Sequence, residues 1–77
     1  MRDDRATFFY DLGVSYWTGT AGKPLDRVEA HKWLNLAAGR GSAEAVRARL
    51  ELAGTMSADE IARAQRSARA LRQSAGA

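Results

Sequence analysis

The sequence predicts an all-helical fold, with four short helices arranged as two antiparallel helical hairpins. Three observations carry this prediction. β-Branched residues are scarce and nowhere alternate over the length of a strand. Apolar residues recur at spacings of three and four, the period of a helix face. Glycine-bearing breaks at Gly19 to Gly22, Gly39 to Gly41 and Gly54 divide the chain into four helical stretches joined by short connections.

The first helix is expected to start near Asp3 or Asp4, whose carboxylates suit an N-cap, and to end before Gly19. Phe9, Leu12 and Tyr16 form one apolar stripe on it, and Tyr10, Val14 and Trp17 a second. A helix that buries one face needs only one of them. Thr18 to Leu25, with Gly19, Gly22 and Pro24, reads as a loop. Asp26 then caps the second helix, with Glu29 three residues on in the manner of a capping box. Ala30, Trp33, Leu34, Ala37 and Ala38 make its packing face.

Ser42 caps the third helix, whose stripe is expected at Ala43, Val46, Leu50 and Ala53. The fourth start is the clearest local signal. Ser57 and Glu60 form an S-x-x-E capping box, and Met56 and Ile61 occupy the two positions of a hydrophobic staple. That helix should run to about Gln73 and bury Ala58, Ile61, Ala62, Gln65, Ala68 and Leu71, leaving 74–77 as a frayed tail.

Composition sets limits on what such a bundle can be. At 77 residues there is room for one domain and one core. The apolar set contains 16 alanines and only 19 larger side chains, so the core is thin and contact with a partner or a second copy is expected on physical grounds. Zero cysteines exclude disulfides and Cys-based zinc or iron–sulfur sites, and a single histidine excludes a His-rich metal site. No cofactor is expected. No apolar run approaches the length of a membrane span, and Met1 to Arg5 leads into no signal-peptide core, so the expected setting is the cytoplasm. Abundant Ala and Arg without Cys fits a bacterial chain. The net charge of +3 is unevenly placed, with four Arg and no acid from Ile61 onward.

Phe9, Leu12, Gly13 and Tyr16 make an aromatic-x2-L-G-x2-Y string, followed in order by Gly19, Gly22, Asp26, Ala30, Trp33, Ala37, Ala38, Gly41 and Ala45. This order and spacing resemble the Sel-one-like repeat, a relative of the tetratricopeptide repeat. Against that pattern the loop between Tyr16 and Asp26 is one residue longer, and Phe8 stands where a small alanine is usual. A shift of 38 residues maps Leu12 onto Leu50, Ala30 onto Ala68 and Trp33 onto Leu71, but puts Glu51 and Gly54 where Gly13 and Tyr16 should recur. The resemblance implies one repeat unit over about 4–41 and a degenerate capping helix pair over about 42–73. It also implies a protein-interaction role without catalysis, as adaptor or regulator. Repeat units bury a continuous core only when stacked, so a lone unit with its cap leaves a face to be covered.

Two surfaces are candidates for that role. Phe8, Tyr10, Val14 and Trp17 would supply a desolvated aromatic anchor for a protein partner or a second copy, with Arg47 at the rim. The alternative to an open stripe is that the fourth helix folds back across it. Arg63, Arg66, Arg69 and Arg72 recur every three residues and could lie along an acidic partner or along nucleic acid phosphates, but no base-reading set accompanies them. Such a basic helical domain is the second functional reading. Gly19-Thr20-Ala21-Gly22-Lys23 fails as a phosphate loop. Trp17 stands at the required first glycine, Pro24 follows the lysine, and a helix precedes the stretch. His31 has no nucleophile arranged beside it in the sequence and reads as a surface or boundary residue.

Overall fold

The computed structural model describes residues 4–76, and among them the chain is all-helical. The helices are α1 (Asp4–Thr18), α2 (Arg27–Gly39), α3 (Ala43–Ala53) and α4 (Ala58–Gly76). Asp3, the alternative start of the first helix, lies outside the described residues, as does residue 77 of the expected tail. The last helix continues three residues past Gln73.

Each boundary has a local cause. Thr18 Oγ1 donates to the Val14 carbonyl at 2.8 Å, and Gly19 turns the chain out of α1 with φ of +68°. The connecting loop is tied back at its far end, where the Asp26 N–H donates to the Tyr16 carbonyl at 2.9 Å. Asp26 caps α2 by accepting from the Glu29 N–H. The expected return bond from Glu29 is absent, because the Asp26 N–H is already taken. Glu29 instead accepts from Trp33 Nε1 at 3.0 Å and pairs with Lys32 at 2.8 Å.

The α2–α3 connection is the tightest. Gly41, with φ of +97°, lets its own N–H reach the Ala38 carbonyl and that of Ser42 reach the Ala37 carbonyl, the paired bonds of a Schellman stop. Ser42 is fully buried and at once caps α3, accepting from the Ala45 N–H at 3.1 Å. One serine thus ends one helix and starts the next. The capping box of α4 forms in both directions, Ser57 N–H to Glu60 Oε1 at 2.9 Å and Glu60 N–H to Ser57 Oγ at 3.1 Å.

The central element is α2, against which α1, α3 and α4 all pack. Ala30, Leu34 and Ala37 of α2 meet Ala45, Ala48 and Leu52 of α3 in the core, with Phe9, Tyr10, Tyr16, Trp17 and Met56 half-buried around them. Ala64 and Ala68 fix α4 onto the bundle. Leu34 and Leu52 are the largest apolar side chains removed completely from water, each contributing about 2 kcal/mol. The Cα radius of gyration, 11.5 Å, is that of a globular chain of this length, about 11.5 Å.

Two expected faces are corrected. On α3 the buried set is Ala45, Ala48 and Leu52, whereas Ala43, Val46 and Leu50 point outward. On α4, Ala58, Gln65 and Leu71 are exposed and Ala64 takes the buried position. On both helices alanines at the contact allow close approach to α2, and on α3 the stripe that pairs Ala45 and Ala48 with Leu52 is the one buried.

Candidate binding groove on the central helix

A groove of about 300 Å³ runs over α2 between α3 and α4. Its polar floor is His31 and Asn35 from α2 and Arg49 from α3. Leu50 and Ala53 wall one side, Ile61 and Gln65 the other. His31 and Asn35 are four residues apart and so share one helix face. The α3 stop at Gly54 and the α4 capping box set the two walls apart.

His31 is buried, at 3% exposure, which corrects its reading as a surface or boundary residue. Its Nδ1 has no hydrogen-bond partner. Burial, and then the positive charge of Arg49, hold the imidazole below its ordinary 6.5, so it is neutral at neutral pH. Arg49 is half-buried, and its guanidinium donates to Asn35 Oδ1 at 2.7 Å. Chemically the groove offers donors and a cation beside aliphatic walls, an arrangement suited to holding an anion that carries apolar neighbours.

The expected aromatic anchor does not form a single surface. Phe8 is 60% exposed and leans on Phe9, with ring centroids 6.0 Å apart. Tyr10, two residues on, projects from the opposite side of α1, where it and Trp17 lie half-buried against the α2–α3 core. Val14 is likewise half-buried. The stripe is therefore partly covered, by α2 and α3 rather than by the fourth helix. Arg47 is exposed on the outer side of α3, near Val46 and Leu50.

Nor do the four arginines of α4 share a face. A spacing of three falls short of a full turn, so the row drifts through roughly half the helix circumference from first to last. Arg63 pairs with Asp59 at 3.5 Å, and Arg72 donates to the Asn35 carbonyl at 3.4 Å. Arg66 and Arg69 are exposed. A second cleft, of about 250 Å³, is lined by Arg5, Phe9, Leu36, Arg40, Leu71 and Arg72. Its cations gather at the C-terminal end of α2, where the helix dipole favours positive charge without any ligand.

Sequence reasoning missed His31, Asn35 and Arg49 as a group. The available signal was a pair of polar residues at i and i+4 next to the Ala30–Leu34 core positions; nothing local marked Arg49, fourteen residues further on. Compared with protein-family models, with curated proteins and with solved structures, the chain matches none.

Proposed function

We propose that this chain is a protein-interaction module, a small helical-repeat adaptor or regulator that docks an acidic protein partner along the outer lip of α3 and the groove beside it. The reading is non-enzymatic, and it places the protein in the cytoplasm. The observation that carries it is the exposure of Leu50: at 66% it stands in water beside Val46, while Ala45, Ala48 and Leu52 of the same helix fill the core. A thin core that leaves its larger apolar side chains outside is the pattern of a surface with a use beyond folding. Arg47, exposed near that lip, and the net charge of +3 favour an acidic partner. The Sel-one-like order of residues 9 to 45 supports the same reading.

The test is capture of partners from lysate by the tagged protein at low and moderate salt, each with and without nuclease, for the native chain and Leu50→Ser. Retention of a discrete protein through salt and nuclease, lost in the variant, is the expected result. Capture unchanged by Leu50→Ser overturns the α3 surface. Loss on nuclease treatment transfers the role to nucleic acid and to Arg66 and Arg69. A second copy as the partner would appear as a concentration-dependent mass in sedimentation.

A further inference from the structure

We propose that the groove over α2 is a receptor for one carboxylate side chain of the partner, an Asp or Glu flanked by aliphatic residues, with Arg49 as its counter-ion and the His31 ring lining the groove beside it. The inference rests on the interaction-module reading and adds the chemistry that would be recognised.

Arg49 carries five N–H donors, and the one described bond uses a single donor, toward the neutral Asn35 side chain. Lys32 has Glu29 beside it, Arg63 has Asp59, and Arg27 has Glu60, while Arg47, Arg66 and Arg69 are exposed to water. Arg49 has no carboxylate partner among the described residues, although it is half-buried, where an unpaired charge is costly. Beside it the Nδ1 of His31 is buried without a hydrogen-bond partner among the described residues. The spare donors of Arg49 and the His31 ring line one groove, and the buried Nδ1 is an exception to the rule that buried polar atoms find partners.

One carboxylate meets the need of Arg49. Its two oxygens can accept in parallel from the guanidinium, while the His31 ring lines the groove beside them. A phosphate, with nearly twice the charge, would find only one cation among the lining residues. Leu50, Ala53 and Ile61 supply the surface for aliphatic residues on either side of the acid. Asn35 holds the guanidinium in place, which lowers the ordering cost of binding.

His31 is the only histidine, so its ring signals report the groove without overlap. An arriving carboxylate offsets the charge of Arg49, the charged group that faces the imidazole, and must raise the pH at which His31 titrates. The experiment is an NMR titration of the labelled native protein, into the millimolar range, with acetyl-Leu-Glu-Leu-amide and with acetyl-Leu-Gln-Leu-amide. The Glu peptide is expected to shift the His31 ring and Arg49 guanidinium signals saturably, to move the His31 titration upward, and to bind about tenfold more tightly than its Gln counterpart, the worth of a charged hydrogen bond. Arg49→Gln, which keeps a donor toward Asn35, should abolish the difference between the peptides. Equal shifts from both peptides, or none from either, overturn the inference. If neither peptide moves His31 while Leu50→Ser still abolishes capture, carboxylate recognition falls and the docking surface stands. If the Glu peptide binds but Leu50→Ser leaves capture intact, the α3 lip falls and the receptor groove stands.

Discussion

Gly13 of α1 and Leu34 of α2 are in such close contact that a Cβ on the glycine would lie 2.7 Å from Leu34 Cγ and 3.2 Å from the Ala30 carbonyl oxygen. Real side chains do not pack at the first of these distances. The hydrogen of Gly13 is therefore what allows α1 to rest on α2, and it is this approach that brings Tyr10, Tyr16 and Trp17 onto the core.

Gly13→Ala sets two effects against each other. Alanine is favoured over glycine within a helix by roughly 1 kcal/mol. Overpacking against a side chain that cannot swing into solvent costs about 1–3 kcal/mol, and Leu34 is completely buried. The clash involves Cγ rather than a mobile end, so it wins, and the variant should be less stable in urea unfolding despite its better helix propensity. Leu34→Ala, which removes the clashing γ carbon, should cost less in the Gly13→Ala background than in the native chain. A variant as stable as the native chain would mean that the helices separate freely.

The reciprocal capping box predicts that Ser57→Ala costs about 1 kcal/mol of stability, read as a lower midpoint in thermal unfolding. It also predicts an acid dependence. The backbone hydrogen bond from Ser57, ahead of the nearby Arg27 and Arg63, holds the Glu60 carboxyl below its usual 4.5. A group depressed in the folded state stabilises fully above its unfolded value, and that contribution is lost as pH falls through the folded value. Glu60→Gln should therefore lose less stability than the native chain on acidification below about pH 4.5. Parallel pH profiles for the two proteins would show that the carboxylate contributes nothing as an anion.

Much of this was legible in the sequence, and where it was not, the reason is geometric. Glycines and caps act locally, so Gly19, Gly41, Ser42, Ser57 and Glu60 do what their neighbours imply, and the four helices fall where the pattern puts them. Which face of a short alanine-rich helix is buried is a tertiary decision. In α3, Leu50 and Leu52 offer two stripes of similar hydrophobicity, and the one with alanines at i−4 and i−7 wins because it permits the closer approach to α2. Burial of His31 follows from α3 and α4 flanking the same face of α2, which no local spacing encodes.

Those two leucines give a direct check on the corrected face. Leu52→Ala should cost about 2–5 kcal/mol, since its side chain is wholly enclosed. Leu50→Ala, at a site two-thirds exposed, should change stability by no more than about 0.5 kcal/mol. Urea unfolding of the two single variants decides the matter, and the opposite ranking would restore the Ala43–Val46–Leu50–Ala53 stripe to the core.

His31 ties stability to the groove. Its folded value lies below its unfolded one, first through burial and then through Arg49, so on acidification the unfolded chain takes up a proton that the folded chain resists. Stability is unaffected by this group above about pH 6.5 and declines as pH falls from there to the depressed folded value, below which the loss is constant. No other histidine confounds that window. The native protein should therefore lose thermal stability as pH falls below about 6.5, and His31→Leu should remove most of that loss. At neutral pH the same variant should be as stable as the native chain or more so, by about 1 kcal/mol, because it replaces a buried unpartnered nitrogen with carbon. A residue whose apolar replacement strengthens the fold is held there by something other than folding. Should His31→Leu instead weaken the protein at neutral pH, the imidazole has a structural partner and its place in the groove is explained by packing alone.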